Sequence, residues 1–213
     1  MLGKVEEGAR PARLDRDRKL VEQAQRDPTR FDALYRKYLA QVYSYALYEL
    51  RDHHAAEDAT ERTFMQALVG LPNFEERIDQ FANSDVATAD GTAPAQSDFS
   101  TFRVWLFRIA RNVIANERRS VRRRPVSPLE DADGLSASDG LFEAVAAREA
   151  SSAAWHAVSR LPEDRRRAVI LRFVDEMSTA EIAAVLGRSE GAVRVLLHRA
   201  LRSIAEDLRG QLN

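Results

Sequence analysis

Ser178-Thr179-Ala180-Glu181, followed at fixed spacing by Ala183, Gly187 and Val193, is the pattern that leaves this chain the fewest ways to fold. The Ser hydroxyl can accept from an early helical N–H while the Glu reaches back to the cap, a reciprocal capping box that starts a helix at Thr179. Ile182, Ala183 and Leu186 then face inward, and Gly187 supplies a tight turn. Ser189 can cap a second helix, whose buried stripe is Val193, Leu196, Leu197, Ala200, Leu201 and Ile204. Two helices that cross steeply over a short turn need a small side chain, a glycine and an aliphatic plug; Ala183, Gly187 and Val193 supply them in order. The expected unit is a helix-turn-helix. Its second helix would enter a major groove by its N-terminal end, bringing Arg188, Ser189, Glu190, Arg194, His198 and the adjacent Arg199 to phosphates or base edges. His198 reads as a phosphate or water contact, since no second metal ligand stands at suitable spacing. On this segment alone the alternative is an αα-hairpin whose glycine merely caps a helix.

The same 3.6-residue periodicity runs through the rest of the chain. Phe31, Leu34, Tyr35, Tyr38, Leu39, Val42, Tyr45, Ala46 and Leu50 predict one amphipathic helix. Ala55, Ala59, Phe64, Met65 and Leu68 predict a second, stopped by Leu71-Pro72-Asn73. A third runs from Thr101 to about Arg122 on a stripe of Phe102, Trp105, Leu106, Ile109, Val113 and Ile114, with Trp105 expected in the core. Pro125 and Pro128 end it. Helix is expected to resume from Leu141 to Ser159, with Phe142, Val145, Ala146 and Trp155 available to pack, and again from Glu163 to Val174 ahead of the helix-turn-helix. No β pattern of useful length appears, so the expected fold is all-α: two small helical domains joined by a flexible linker. The boundaries fall at an N-terminal extension (1–26), a central module (27–125) with a long loop (71–100), a linker (126–150) and the C-terminal module (151–213).

The 213 residues carry 32 Lys and Arg against 33 Asp and Glu, a balance that at first argues against a nucleic-acid partner. The charges are segregated, however. Arg103, Arg108, Arg111, Arg118, Arg119, Arg122, Arg123 and Arg124 are opposed only by Glu117, whereas Glu75, Glu76, Asp79, Asp85, Asp90 and Asp98 precede them against Arg77 alone. There is no Cys, no metal-ligand set, no nucleophile elbow and no phosphate-binding glycine loop, so neither an enzyme nor a bound cofactor or metal is expected. No apolar run approaches a membrane span, and the first residues are too charged for a signal peptide, so the expected address is cytoplasmic.

Three blocks, in order, resemble the sigma-70 family of RNA polymerase sigma factors. Ala56-Glu57-Asp58-Ala59-Thr60-Glu61-Arg62-Thr63-Phe64 resembles the polymerase-binding helix. Trp105-Leu106-Phe107-Arg108-Ile109-Ala110-Arg111-Asn112-Val113-Ile114-Ala115-Asn116, with Glu117-Arg118-Arg119, resembles the promoter-melting helix. Leu161-Pro162 and the helix-turn-helix resemble region four. With only these two modules, the chain is similar to the extracytoplasmic function (ECF) subgroup. The resemblance implies a factor that directs promoter recognition and melting, for a stress- or signal-responsive set of genes. Glu57, Asp58, Glu61 and Gln66 would bind the β and β′ subunits of core polymerase. Arg103, Arg108, Arg111, Asn112, Arg118 and Arg119 would hold the melted minus-ten strand, with Arg122 to Arg124 as an electrostatic anchor. The groups named above on the second helix of the helix-turn-helix would read the minus-thirty-five duplex. An anti-sigma factor is the implied regulatory partner.

The sequence departs from the family pattern at several points. Glu61-Arg62 stands where Gln-Glu is frequent, Asn116 where Asp is frequent, and Leu196, on the buried stripe, where Arg is frequent. The 71–100 loop is longer than the usual connection and acidic. Its ends, near Asn73, Phe74, Phe99 and Thr101, are expected to keep the family's capture of a flipped base. The competing function is a conventional helix-turn-helix regulator of duplex operators, for which an arginine-faced aromatic helix would have no use.

Overall fold

The computed structural model describes residues 16–76, 99–123 and 152–211. Every regular element among them is helical. The N-terminal module consists of α1 (Arg18–Arg26), α2 (Phe31–Leu50), α3 (His53–Gly70) and α4 (Thr101–Arg123), with 3-10 turns at Pro28–Arg30 and Leu71–Asn73. The C-terminal module consists of α5 (Ser152–Arg160), α6 (Glu163–Phe173), α7 (Thr179–Leu186) and α8 (Glu190–Gln211). The expected helix before Ser152, most of the long loop, the whole linker and the side chains of Arg122 to Arg124 lie outside the described residues.

Helices α2 and α3 turn back on one another over two residues with distinct tasks. Arg51 takes a left-handed φ of 58° and donates its N–H to the Leu47 carbonyl at 2.8 Å, closing α2. Asp52 accepts the Ala55 N–H at 2.7 Å, opening α3. The buried face of α3 is almost all small: Ala56, Ala59, Thr60, Thr63 and Ala67. Small side chains let α2 and α4 approach closely, and the two threonines satisfy their hydroxyls on Ala56 and Ala59 carbonyls one turn back, at 2.7 and 2.6 Å. Leu34, Tyr38, Val42 and Tyr45 from α2 and Phe102, Leu106, Phe107, Ala110 and Ile114 from α4 fill the space this leaves. Gly70 is set by the same packing: a Cβ there would stand 3.0 Å from Cζ2 of Trp105.

Helix α1 is a finding, because the sequence offers only a short charged segment there. Val21 and Ala24 bury against α2, and the Gln25 amide donates to the Leu71 and Phe74 carbonyls at 3.0 and 2.8 Å. The extension therefore splints the start of the long loop. In the C-terminal module the capping box forms as expected, Gly187 takes a φ of 66°, and Ala192 N–H donates to the Ser189 hydroxyl at 3.2 Å. Val193 is fully buried in the same core as Ala183, and Leu196 is packed against that core. Leu201, expected on the buried stripe, is about half exposed.

Among the described residues the larger apolar cluster runs through both modules, and a smaller one of Val158, Leu161, Val169 and Ala200 lies within the C-terminal module. Helix α7 packs on α4, α6 packs on α2, and Trp155 of α5 stacks on Tyr48 of α2 at 4.5 Å and 21°.

Candidate nucleic-acid and polymerase interfaces

The arginine face of α4 is where the structure departs most from expectation. Arg103, predicted to lie on a DNA-binding surface, is only 3% exposed, and its Nε donates to Oε1 of Glu181 at 3.0 Å while Nη2 makes a second bond to Oε2. Arg108 Nε reaches the Ala184 carbonyl at 2.9 Å and Arg111 Nη1 the Val185 carbonyl at 3.1 Å. The physical reason is supply of acceptors: α7 ends there, and its last carbonyls have no intrahelical donor. Asn112 and Arg119 are exposed as expected, with Arg119 held to Asn116 Oδ1 at 2.6 Å.

Glu181 is fully buried and serves two structures at once. Oε2 accepts from the Ser178 N–H and hydroxyl at 2.9 and 3.0 Å, completing the capping box, while Oε1 accepts from Arg103 and from the Ser100 N–H at 3.2 Å. Ser100 in turn donates to Asp17, which also accepts from Lys37 and Tyr38. Burial alone would raise the Asp17 carboxyl, but the Lys37, Ser100 and Tyr38 hydrogen bonds outweigh it and hold the group below the ordinary carboxylate range. The residue at the end of the long loop is thus pinned from both ends of the chain.

Asp175, beside this network, is fully buried, and neither carboxyl oxygen has a hydrogen-bond partner. Burial raises its carboxyl well above the ordinary range, against the opposing pull of Arg103. The folded chain therefore holds this proton to higher pH than the unfolded chain does. Its contribution is fully present below the unfolded value, about 3.9, and is lost as pH rises through the folded one. Asp175→Asn keeps the shape without the ionisation. Its melting temperature should gain on that of the parent between about pH 5 and pH 8, by roughly 2–4 °C per kcal/mol. Thermal melts across that range check this; parallel curves would contradict it.

A second ion-pair cluster joins the modules. Glu49 of α2, its side chain wholly buried, accepts from Arg118 of α4 at 3.2 Å and Arg167 of α6 at 3.3 Å, with Arg166 Nε at 3.9 Å. Glu163 binds Arg118 at 3.0 Å and also pairs with Arg167. Arg118, expected to face DNA, is occupied here.

On α3 the expected carboxylates Glu57, Asp58 and Glu61, with Gln66, are all exposed on the outer face. Arg62, the departure beside them, binds Glu117 of α4 at 2.7 Å and thereby staples α3 to α4. Sequence reasoning missed the apolar part of this surface. Tyr35, Met65 and Leu68, assigned to the buried stripes, are 38%, 58% and 39% exposed. Together with Phe31, Leu39 and Phe64 they line an open groove of about 520 Å³ flanked by Glu57 and Glu61. The signal was present: a stripe at 3.6 spacing cannot bury Phe64 and its neighbour Met65 equally.

At the loop ends, Asn73 is exposed and Phe74 is half-buried. The Phe74 ring lies 5.8 Å from that of Phe102, edge to face, and 4.9 Å from that of Trp105. On α8, Arg188, Ser189, Arg194, His198 and Arg199 are exposed and Glu190 is partly so; Arg188 pairs with Asp164, and Arg194 lies 3.2 Å from Glu190. Among the described residues no group of three or more His, Asp and Glu is placed to hold a metal ion, and no helix is long and apolar enough to cross a membrane.

Residues 34–83 match the sigma-70 region 2 family model and residues 151–204 the sigma-70 region 4 model. The chain is 34% identical over 188 residues to the ECF RNA polymerase sigma factor BldN of Streptomyces coelicolor, an alignment covering 87% of this chain and 63% of the length of BldN. It is 32% identical over 172 residues to the ECF sigma factor SigL of Mycobacterium tuberculosis, covering 81% of this chain and 85% of SigL. Its fold is shared with the sigma factor RpoE of Bartonella quintana, solved in complex with the anti-sigma factor NepR. The TM-score is 0.55 at 21% identity, over 84% of this chain and 96% of that one. Two family regions in the expected order, and a relative matched along most of both lengths, place the chain in the extracytoplasmic function group of the sigma-70 family of RNA polymerase sigma factors.

Proposed function

We propose that this sigma factor acts by binding alone, in the cytoplasm, dividing transcription initiation among three surfaces. The groove at Tyr35, Met65 and Leu68, with Glu57, Asp58, Glu61 and Gln66 around it, docks core polymerase. An apolar floor supplies affinity and the carboxylates select a basic partner. Asn73, Phe74 and the arginine face of α4 with Asn112 receive the melted minus-ten strand, whose phosphates suit arginines and whose bases suit aromatic surfaces. The N-terminal end of α8 reads the minus-thirty-five duplex through Arg188, Ser189, Glu190, Arg194, His198 and Arg199. An anti-sigma factor, of the kind that holds RpoE of Bartonella quintana, is the regulatory partner.

The observation that carries this reading is the exposed docking groove on the same module as an arginine-rich helix, a pairing that a regulator of duplex operators does not need. Run-off transcription with purified core polymerase on a promoter pool tests it: a promoter-dependent transcript is expected. Duplex binding without transcript would favour the conventional regulator. Arg194→Ala should weaken binding to the selected promoter by about 1–3 kcal/mol, as loss of a base-edge contact does. A uniform loss across unrelated duplexes would instead make Arg194 a phosphate contact.

A further inference from the structure

Helix α1 and the residues just before it grip both described ends of the long connection. At one end Arg16 donates its N–H to the Phe99 carbonyl at 3.4 Å, and the buried Asp17 carboxylate accepts from the Ser100 hydroxyl as well as from Lys37 and Tyr38 of α2. At the other end the Gln25 side chain donates to the Leu71 carbonyl at 3.0 Å and to the Phe74 carbonyl at 2.8 Å. Both partners are carbonyl oxygens, which only accept, so the group facing them is the amide NH2 and both of its hydrogens are used there. The Leu71 carbonyl also takes the Phe74 N–H at 3.0 Å, the bond that closes the 3-10 turn at Leu71–Asn73. Such a bond has poor geometry and holds a turn weakly; the amide ties the same turn to a helix. Pro72 and Asn73, between the two gripped carbonyls, are exposed. The nine residues of α1, rising roughly 1.5 Å each, set a fixed spacing between the two grips.

The geometry points to Gln25 as a positioning residue for base capture: its amide fixes the backbone on either side of Asn73, so that Asn73 and Phe74 stand ready for an unstacked base. This rests on the reading of Asn73 and Phe74 as the near wall of the capture site. The Phe74 ring is seated against Phe102 and Trp105, which places one side chain of the turn; the two amide bonds place its backbone. Gln25 acts through that turn and need not touch DNA. It is half-buried, so water can satisfy the two carbonyls when the amide is removed, and what is lost is the tether to α1. A base entering an untethered turn must order it first, and that cost is subtracted from the binding of the base. Discrimination therefore falls further than stability does.

Gln25→Met keeps the unbranched length and removes both donors without adding charge. The full chain, assembled with purified core polymerase, is titrated with fluorescent single strands of the minus-ten sequence that the promoter pool selects, intact or with one abasic site at each position in turn. With the parent, one position should stand out, where loss of the base weakens binding by on the order of tenfold, the scale of one stacked base. In Gln25→Met the same abasic site should cost less than about threefold, because the intact strand loses its advantage. A general folding defect acts on intact and abasic strands alike and leaves their ratio unmoved. Gln25→Ala, well suited to a helix, takes the place of Gln25→Met if that variant does not fold. Gln25→Lys, which restores donors and brings no acceptor, should recover the parent ratio. If the donor-free variant keeps the parent ratio, the positioning role is overturned while the capture reading stands. If the parent has no sensitive position, the capture reading fails and the positioning role fails with it. A ratio lost in Gln25→Lys as well would show that side-chain shape, rather than the two hydrogen bonds, holds the turn, and would overturn the inference.

Discussion

Glu49→Ala should destabilise the protein by about 3 kcal/mol, the lower end of what removing one partner of a buried ion pair costs. The carboxylate sits where α2, α4 and α6 meet and faces Arg118, Arg166 and Arg167. Alanine leaves those cations in a cavity. Glu163 still serves Arg118 and Arg167, which limits the loss, but Arg166 Nε has no hydrogen-bond partner even in the parent and keeps only the Glu49 charge nearby. The midpoint of urea unfolding measures the effect. Glu49→Gln, which keeps volume and acceptor but not charge, should fall between. A Glu49→Ala midpoint equal to that of the parent would show the cluster to be solvated. Because two of the three cations belong to the C-terminal module, the variant should also loosen its seat on the N-terminal one.

Much of this architecture was legible beforehand, where local chemistry and tertiary fate agree. Ser178 and Glu181 announced a capping box that forms in full, and Ala183, Gly187 and Val193 take the places their sizes predict. What stayed hidden was the second use of residues that already had a local one. Glu181 satisfies the capping box with Oε2, and nothing in its sequence neighbourhood says that the same carboxylate also meets Arg103, 78 residues away. Arginines spaced along an exposed-looking helix face predict a basic surface, yet a helix C-terminus is an acceptor surface too, and it claimed Arg108 and Arg111 while the Glu181 carboxylate claimed Arg103. Helix α1 was hidden for the opposite reason. It buries little more than Val21 and Ala24, too few apolar positions to register as a stripe, and its stability comes from packing on α2. Met65 shows the limit of periodicity: a stripe predicts which face is apolar but not where the partner helix stops covering it.

Phe102→Ala should have the largest effect, about 3–5 kcal/mol of stability and roughly 10 °C in melting temperature. Phe102 is fully buried at the start of α4, with the rings of Tyr38, Phe74 and Trp105 at 5.9, 5.8 and 5.6 Å. Removing it opens a cavity among side chains that cannot collapse together, because Tyr38 is tied to Asp17 and Trp105 is fitted over Gly70. Phe74 loses its edge-to-face partner, and with it the orientation of the turn at Leu71–Asn73, the near end of the proposed base-capture site. Minus-ten strand binding should therefore fall while minus-thirty-five duplex binding, carried by α8 in the other module, is kept. Phe102→Leu fills most of the volume and should recover much of the stability. If it also restores strand binding fully, volume alone positions Phe74; if stability returns without strand binding, the edge-to-face contact is what aims it. Equal losses of strand and duplex binding in Phe102→Ala would mean that the whole chain, rather than the capture site, has been disturbed.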